Sequence, residues 1–223
     1  MAWRLAKGAA TRYMAPEGGS PVEAREMVRR YVAALRETSV VQGQDLLAGF
    51  RLTRKAAQSL GEFGDIAAQS GMAAALEVCK LTKLAEASPE MVIPGLISAW
   101  MEDHDGLEAA VVRTALASCL GRVLAAGATA APEVKGASLV TSFLAICLCQ
   151  RLAFDLGESL EAAAPAWRQY QQGLARLENE VQTTFTEVPV DPPGVGQWQG
   201  LAGWLWVTQT LEKMLQSFQD SSS

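Results

Sequence analysis

The residues whose types could do chemistry cluster at Met101-Glu102-Asp103-His104-Asp105, where three carboxylates flank the chain's single histidine. A carboxylate beside an imidazole can orient it for general acid–base work. One histidine alone supports no set of nucleophile, base and orienter, and acid-rich runs of this kind more often mark a solvated helix end. Gly194, Gly196 and Gly200 resemble a phosphate-cradling loop in spacing only, because no strand precedes them and no lysine follows where the motif needs one. Cys79, Cys119, Cys147 and Cys149 all lie in apolar helical segments, where a thiol acts as a small hydrophobe. Cys147 and Cys149 form C-x-C rather than C-x-x-C, far from His104, so no metal ligand set is predicted. The expectation is a chain that is not an enzyme and carries no catalytic residue, metal or cofactor.

Charge is the more informative chemistry. Residues 1–60 hold ten Lys/Arg against five Asp/Glu, and residues 61–223 hold nine against nineteen, giving +5 and −10. Such a split predicts an anionic partner at the N-terminal end or head-to-tail contact between copies, against the plainer reading that both faces are solvated. Arg25, Arg29, Arg30, Arg51, Arg54 and Lys55 are the candidate membrane- or anion-binding residues. Trp198, Trp204 and Trp206 have the amphipathic bulk to enter a membrane interface or stack on bases. No basic residue interleaves them before Lys213, so core packing or contact with another copy is the better reading.

These side chains must be positioned by helices. The 223 residues are 49% hydrophobic, rich in Ala, Leu, Gln and Glu, and β-branched residues never alternate cleanly. An all-α protein follows: two helical bundles in series with a helical C-terminal region, divided as 1–86, 87–156 and 157–223. A short helix is predicted over Trp3 to Met14, broken by Pro16, Gly18 and Gly19. Ser20-Pro21-Val22-Glu23 combines an N-cap hydroxyl, a proline at the first helical position and a glutamate three residues after the cap. The helix it opens carries Ala24, Met27, Val28, Tyr31, Val32 and Leu35 on one stripe. Residues 44–60 form an amphipathic helix that Gly61 and Gly64 loosen or end, and another helix runs from Ile66 to Ala85. Ser88-Pro89-Glu90 opens a further one, which Pro94 kinks or shortens. Leu107 to Ala126 and Glu133 to Phe154 are apolar nearly all round and predict a buried hairpin turning at Gly127 to Pro132. Glu158 to Glu187 is long and polar, Val188 to Gly196 is a loop, and the last helix aligns Trp204, Leu211, Leu215 and Phe218 before a fraying Ser-rich end. Gly136 to Gln150, 15 uncharged residues, falls short of the ~18 or more a membrane span needs and reads as a core helix. The positive amphipathic start is compatible with a mitochondrial-type presequence, and Ala2 excludes N-myristoylation.

Ala115-Leu116-Ala117-Ser118-Cys119-Leu120-Gly121, followed by Glu133-Val134, Leu139-Val140 and Cys149-Gln150 with Ala153 and Asp155, resembles the middle of the orthomyxovirus (influenza-type) matrix proteins. Pro21-Val22-Glu23-Ala24, Asp45-Leu46 and Leu52-Thr53 to Leu60-Gly61 extend the resemblance over the first two thirds. It implies a structural, membrane-associated protein beneath the viral envelope, in the virion, on the cytoplasmic face of host membranes and in the host nucleus. The implied partners are anionic lipids, further copies of itself, viral ribonucleoprotein and envelope glycoproteins. Two departures limit the likeness: the stretch Glu90 to Asp105 is acidic where the family is basic, so direct RNA binding does not carry over, and the family's histidines are missing. The alternative is a cellular helical adaptor or scaffold whose charged faces bind a protein partner.

Overall fold

The computed structural model describes residues 1–101, 104–125, 135–184 and 191–220. Glu102 and Asp103 of the acid cluster, the turn at Gly127 to Pro132, Glu133-Val134, the loop up to residue 190 and the Ser-rich end lie outside them. Among the described residues the chain is all-helical, without a strand: α1 (Ala2–Met14), α2 (Pro21–Val41), a 3-10 turn (Leu46–Phe50), α3 (Arg51–Ser70), α4 (Met72–Val78), a 3-10 turn (Thr82–Leu84), α5 (Pro89–Met101), α6 (Leu107–Ala125), α7 (Gly136–Asp155), α8 (Gly157–Ala163), α9 (Trp167–Thr184) and α10 (Leu201–Asp220). The all-α reading of the sequence is what the structure shows.

The capping box forms as its spacing predicts. Ser20 Oγ accepts the Glu23 backbone N–H at 3.2 Å, and the Glu23 carboxylate accepts the Ser20 N–H at 3.0 Å. These bonds from Ser20 hold the Glu23 carboxyl below the usual carboxylate range. Other boundaries differ from the expectation. Gly61 and Gly64 do not end a helix: α3 runs through both and stops at Gly71, whose φ of 87° is the left-handed conformation that favours glycine. The reason is tertiary. A Cβ at Gly61 would overlap the Trp198 ring, and one at Gly64 would lie 2.7 Å from Leu139 Cδ1, so the two glycines admit close neighbours. The helix expected from Ile66 to Ala85 is thereby split, and α5 continues through Pro94.

Two compact units are present, each discontinuous in sequence. The first comprises Met1–Gly49, Leu148–Val188 and Leu211–Ser223, and the second Phe50–Cys147 and Pro189–Thr210. In the first unit α1 packs on α2 and α8, and α2 on α9. Ala6, Ala10, Tyr13, Met27, Tyr31 and Val32 are buried there. The Tyr13 hydroxyl donates to the Gly173 carbonyl at 2.8 Å, and the Tyr31 hydroxyl to Asp155 at 2.6 Å. In the second unit α3 packs on α4, α5 and α6, and Leu60, Phe63, Leu96, Leu116 and Phe143 are core residues. α7 is, among the described residues, the one helix long and apolar enough to cross a membrane. Its run Phe143 to Cys149 is wholly buried, as in a core helix.

This assembly redistributes charge. The first unit carries eleven Lys/Arg against thirteen Asp/Glu and the second eight against eleven, so each is mildly acidic. Of the basic excess of residues 1–60, the part on residues 1–49 is offset within the first unit by acids of residues 148–188, and Arg51, Arg54 and Lys55 fall in the second unit.

Candidate functional site

The six predicted cations divide between the units. Arg25, Arg29 and Arg30 lie on α2 in the first, and each has a carboxylate partner. Arg25 Nε meets Glu180 of α9 at 2.6 Å, and Glu26 takes both Arg29 at 2.6 Å and Arg30 at 2.7 Å. Burial alone would raise the Glu26 carboxyl, but the bonds from Arg30 and Arg29 outweigh it and hold the group below its ordinary range. Half-exposed intrahelical pairs of this kind contribute little stability. They do reduce the positive field of that helix face.

Arg51, Arg54 and Lys55 open α3 in the second unit. Arg51 and Lys55 are exposed, lie one turn apart on one helix face, and make no ion pair among the described residues. Arg54 is engaged differently: its guanidinium stands 4.2 Å from the centroid of the Trp204 ring on α10, and Nη1 reaches Thr208 Oγ1 at 3.2 Å. Such a cation–π contact is worth about 0.5–1 kcal/mol where solvent reaches it. Leu201 and Leu205, 71% and 47% exposed, share that stripe of α10 with Trp204 and Thr208 at helical spacing. An apolar strip therefore adjoins a cationic helix start. The Trp residues behave as the sequence suggested in two cases, Trp198 and Trp206 being buried and edge-on at 5.3 Å. The cationic neighbour of Trp204 escaped the sequence reading because it lies 150 residues earlier in the chain.

A second feature of the same unit is a cavity of about 350 Å³ between α3, α4, α5 and the segment before α10. Phe63 and Trp100, edge-on at 5.7 Å, form its aromatic wall. Glu62 supplies a carboxylate: Oε1 accepts the Gly196 N–H at 2.9 Å, while Oε2 is buried with no hydrogen-bond partner among the described residues. Lys80 lines the cavity too, with a φ of 60°. The bonds Leu81 N–H to Leu76 O and Lys80 N–H to Glu77 O, both 2.8 Å, are the paired closure that ends a helix on a left-handed residue, a place usually taken by glycine. Beside it, burial raises the Cys79 thiol, and a hydrogen bond from Trp100 opposes that rise.

The other candidates resolve into structural roles. Arg113 donates to the carbonyls of Met101 and His104, at 3.2 and 2.8 Å, fixing the backbone beside the histidine. Gly196 gives its N–H to Glu62, so the glycine-rich stretch faces a carboxylate. Burial pushes the Cys119 thiol up to about 12 and the Cys149 thiol higher still, so neither is a thiolate at neutral pH. No group of three metal-ligating side chains occurs among the described residues. Asp65, which the sequence reading passed over, joins three segments: it accepts the Trp198 indole N–H at 2.7 Å and the Gly136 N–H at 2.8 Å. A neighbouring α3 side chain, Gln58, donates to the Trp198 carbonyl at 2.6 Å.

A family model described as Qat anti-phage system associated protein QatB covers residues 46–190, well over half of the chain. Neither the curated proteins nor the solved structures yield a match. The family match overturns the resemblance to orthomyxovirus matrix proteins, and with it the viral matrix role. The virion and host-nucleus locations and the viral ribonucleoprotein and envelope-glycoprotein partners go too, since phage defence belongs to bacterial cells, and the lipid and self-assembly contacts lose the viral shell that they were to build. The likeness misled for a physical reason. In Ala115 to Gly121 the shared letters Ala115, Leu116, Cys119 and Leu120 are buried in α6, and small and aliphatic residues recur at such positions in any core helix.

Proposed function

We propose, since this chain belongs to the family of Qat anti-phage system associated protein QatB, that it is a non-catalytic component of a bacterial anti-phage system and acts by docking another protein. This keeps the adaptor alternative and moves it to phage defence. The observation that carries the docking face is the Arg54–Trp204 contact beside exposed Leu201 and Leu205, flanked by Arg51 and Lys55. In proportion to their 71% and 47% exposure, Leu201 contributes about 1–2 kcal/mol and Leu205 about 0.7–1.4 kcal/mol if docking covers them fully. Arg51, Lys55 and the start of α3, whose helix dipole is positive there, favour an acidic partner. Tryptophan and arginine, paired here, are the side chains most enriched where binding energy concentrates.

A role without catalysis is supported by the state of the reactive groups. Cys119 and Cys149 are buried protonated thiols, and the backbone beside His104 is tied by Arg113. The test is co-purification. Tagged chain expressed with the remaining components of its system is expected to bring down one of them in stoichiometric amount, less so in high salt. Arg51→Glu with Lys55→Glu and Leu205→Glu is expected to abolish that recovery while leaving the helical circular dichroism unchanged. Equal recovery with the triple variant excludes this face as the docking surface.

A further inference from the structure

We infer that the cavity between α3, α4 and α5 is a binding site for a cationic alkyl group, an alkylguanidinium or alkylammonium, held by Glu62. It is separate from the docking face and rests on different residues. The argument begins with the carboxylate. Glu62 projects from α3 with Oε1 committed to the Gly196 N–H, and its buried Oε2 lacks a partner among the described residues. A buried acceptor of a charged group is costly to leave unsatisfied, so the site is primed for a donor. A charged donor is favoured over a neutral one because charge-assisted bonds are about twice as strong.

The walls select what carries the cation. Phe63 is buried and Trp100 half-buried, and both line the cavity with Val78. Aromatic faces attract a cation and accept the methylenes behind it. The other charge in the lining, Lys80, is exposed, as are Gly196 and Gln199, so these form the solvent side. Water screens the lysine's charge there, whereas the buried Glu62 oxygen is not screened in this way. A volume of about 350 Å³ lies at the small end of ligand sites and suits a short stem with one charged head. Such a group can arrive as a free amine or guanidine, or as an arginine or lysine side chain of a docked protein.

The probes are butylguanidinium, its neutral isostere butylurea, and a pair of acetylated hexapeptides that differ only in arginine against citrulline. Each is titrated into the full chain with the Trp100 indole N–H followed by NMR. Butylguanidinium is expected to saturate with a Kd of about 1 mM or tighter, and butylurea to bind at least about tenfold more weakly. Glu62→Gln keeps an acceptor for Gly196 and is expected to lose about tenfold of the guanidinium affinity with a melting temperature no lower than that of the wild type. Val78→Arg, at a position 61% exposed, places a cation at the rim and is expected to compete with the probe. Saturation by the arginine peptide but not by the citrulline one assigns the group to a protein side chain, and saturation by butylguanidinium but by neither peptide assigns it to a free small molecule; both sustain the cation site. Equal binding of butylurea, unchanged affinity in Glu62→Gln, or no saturation by about 20 mM overturns it.

Discussion

Removing the Asp65 carboxylate by Asp65→Ala is expected to be among the most damaging single changes in the second unit. Its two oxygens accept separate donors, the Trp198 indole N–H at 2.7 Å and the Gly136 backbone N–H at 2.8 Å. Trp198 is fully buried and Gly136 is buried, so water does not readily replace the lost acceptor. A hydrogen bond to a charged group contributes about 1.5–3 kcal/mol, and these two, both part-buried, give at most about 3–6 kcal/mol. For a chain of this length each kcal/mol corresponds to about 2–4 °C in melting temperature, hence a fall of roughly 6–24 °C. Asp65→Asn retains one acceptor but turns an amide toward the other donor, and is expected to cost about half as much. Urea titration followed by tryptophan fluorescence and by far-UV circular dichroism measures both variants. A loss below about 1 kcal/mol for Asp65→Ala contradicts the view that this carboxylate ties the segment around Trp198 to α3.

Further perturbations probe other parts of the fold. Lys80→Gly relieves a left-handed residue that costs about 1–2 kcal/mol, offset in part by glycine's greater freedom when unfolded, so a net gain of about 0.5–1 kcal/mol is expected in the same urea titration. Ser20→Ala removes one half of the capping box and is expected to cost about 1 kcal/mol, read as a lower melting temperature. The Tyr13 hydroxyl and the Cys119 thiol are both raised to about 12 by burial. With folded values above the unfolded ones, the folded state holds more protons at alkaline pH. Their contribution is therefore full below about pH 9 and is lost progressively as pH rises toward 12, which a series of melting temperatures from pH 7 to 11 will show. Native Cys119 is expected to resist Ellman's reagent at pH 8, where the half-buried Cys79 reacts first.

What could be read from the sequence was whatever depends on near neighbours. The capping box at Ser20 to Glu23 needs only a three-residue spacing, and the buried faces of α2 and α7 need only apolar periodicity. The glycines of α3 were misread because their purpose is to admit Trp198 and Leu139, which lie 137 and 75 residues away. The left-handed conformation of Lys80 left no trace, since the residue type argues against it. The six cations were found as a list but not as a surface: α9 brings Glu180 to Arg25, and α10 brings Trp204 to Arg54. Nothing in the sequence around Glu62 and Asp65 sets them apart from other acids of an amphipathic helix. Only the tertiary arrangement shows Asp65 to be a tether and Glu62 to hold a buried oxygen with no partner among the described residues.

The central claim, a protein-docking component of phage defence working through the α3–α10 face, is most directly tested by phage plating on bacteria carrying the complete system. Cells with the Arg51→Glu, Lys55→Glu, Leu205→Glu chain, at wild-type abundance by immunoblot, are expected to be infected as readily as cells from which the chain has been deleted. Full protection by the triple variant, or by the system lacking the chain altogether, contradicts the account.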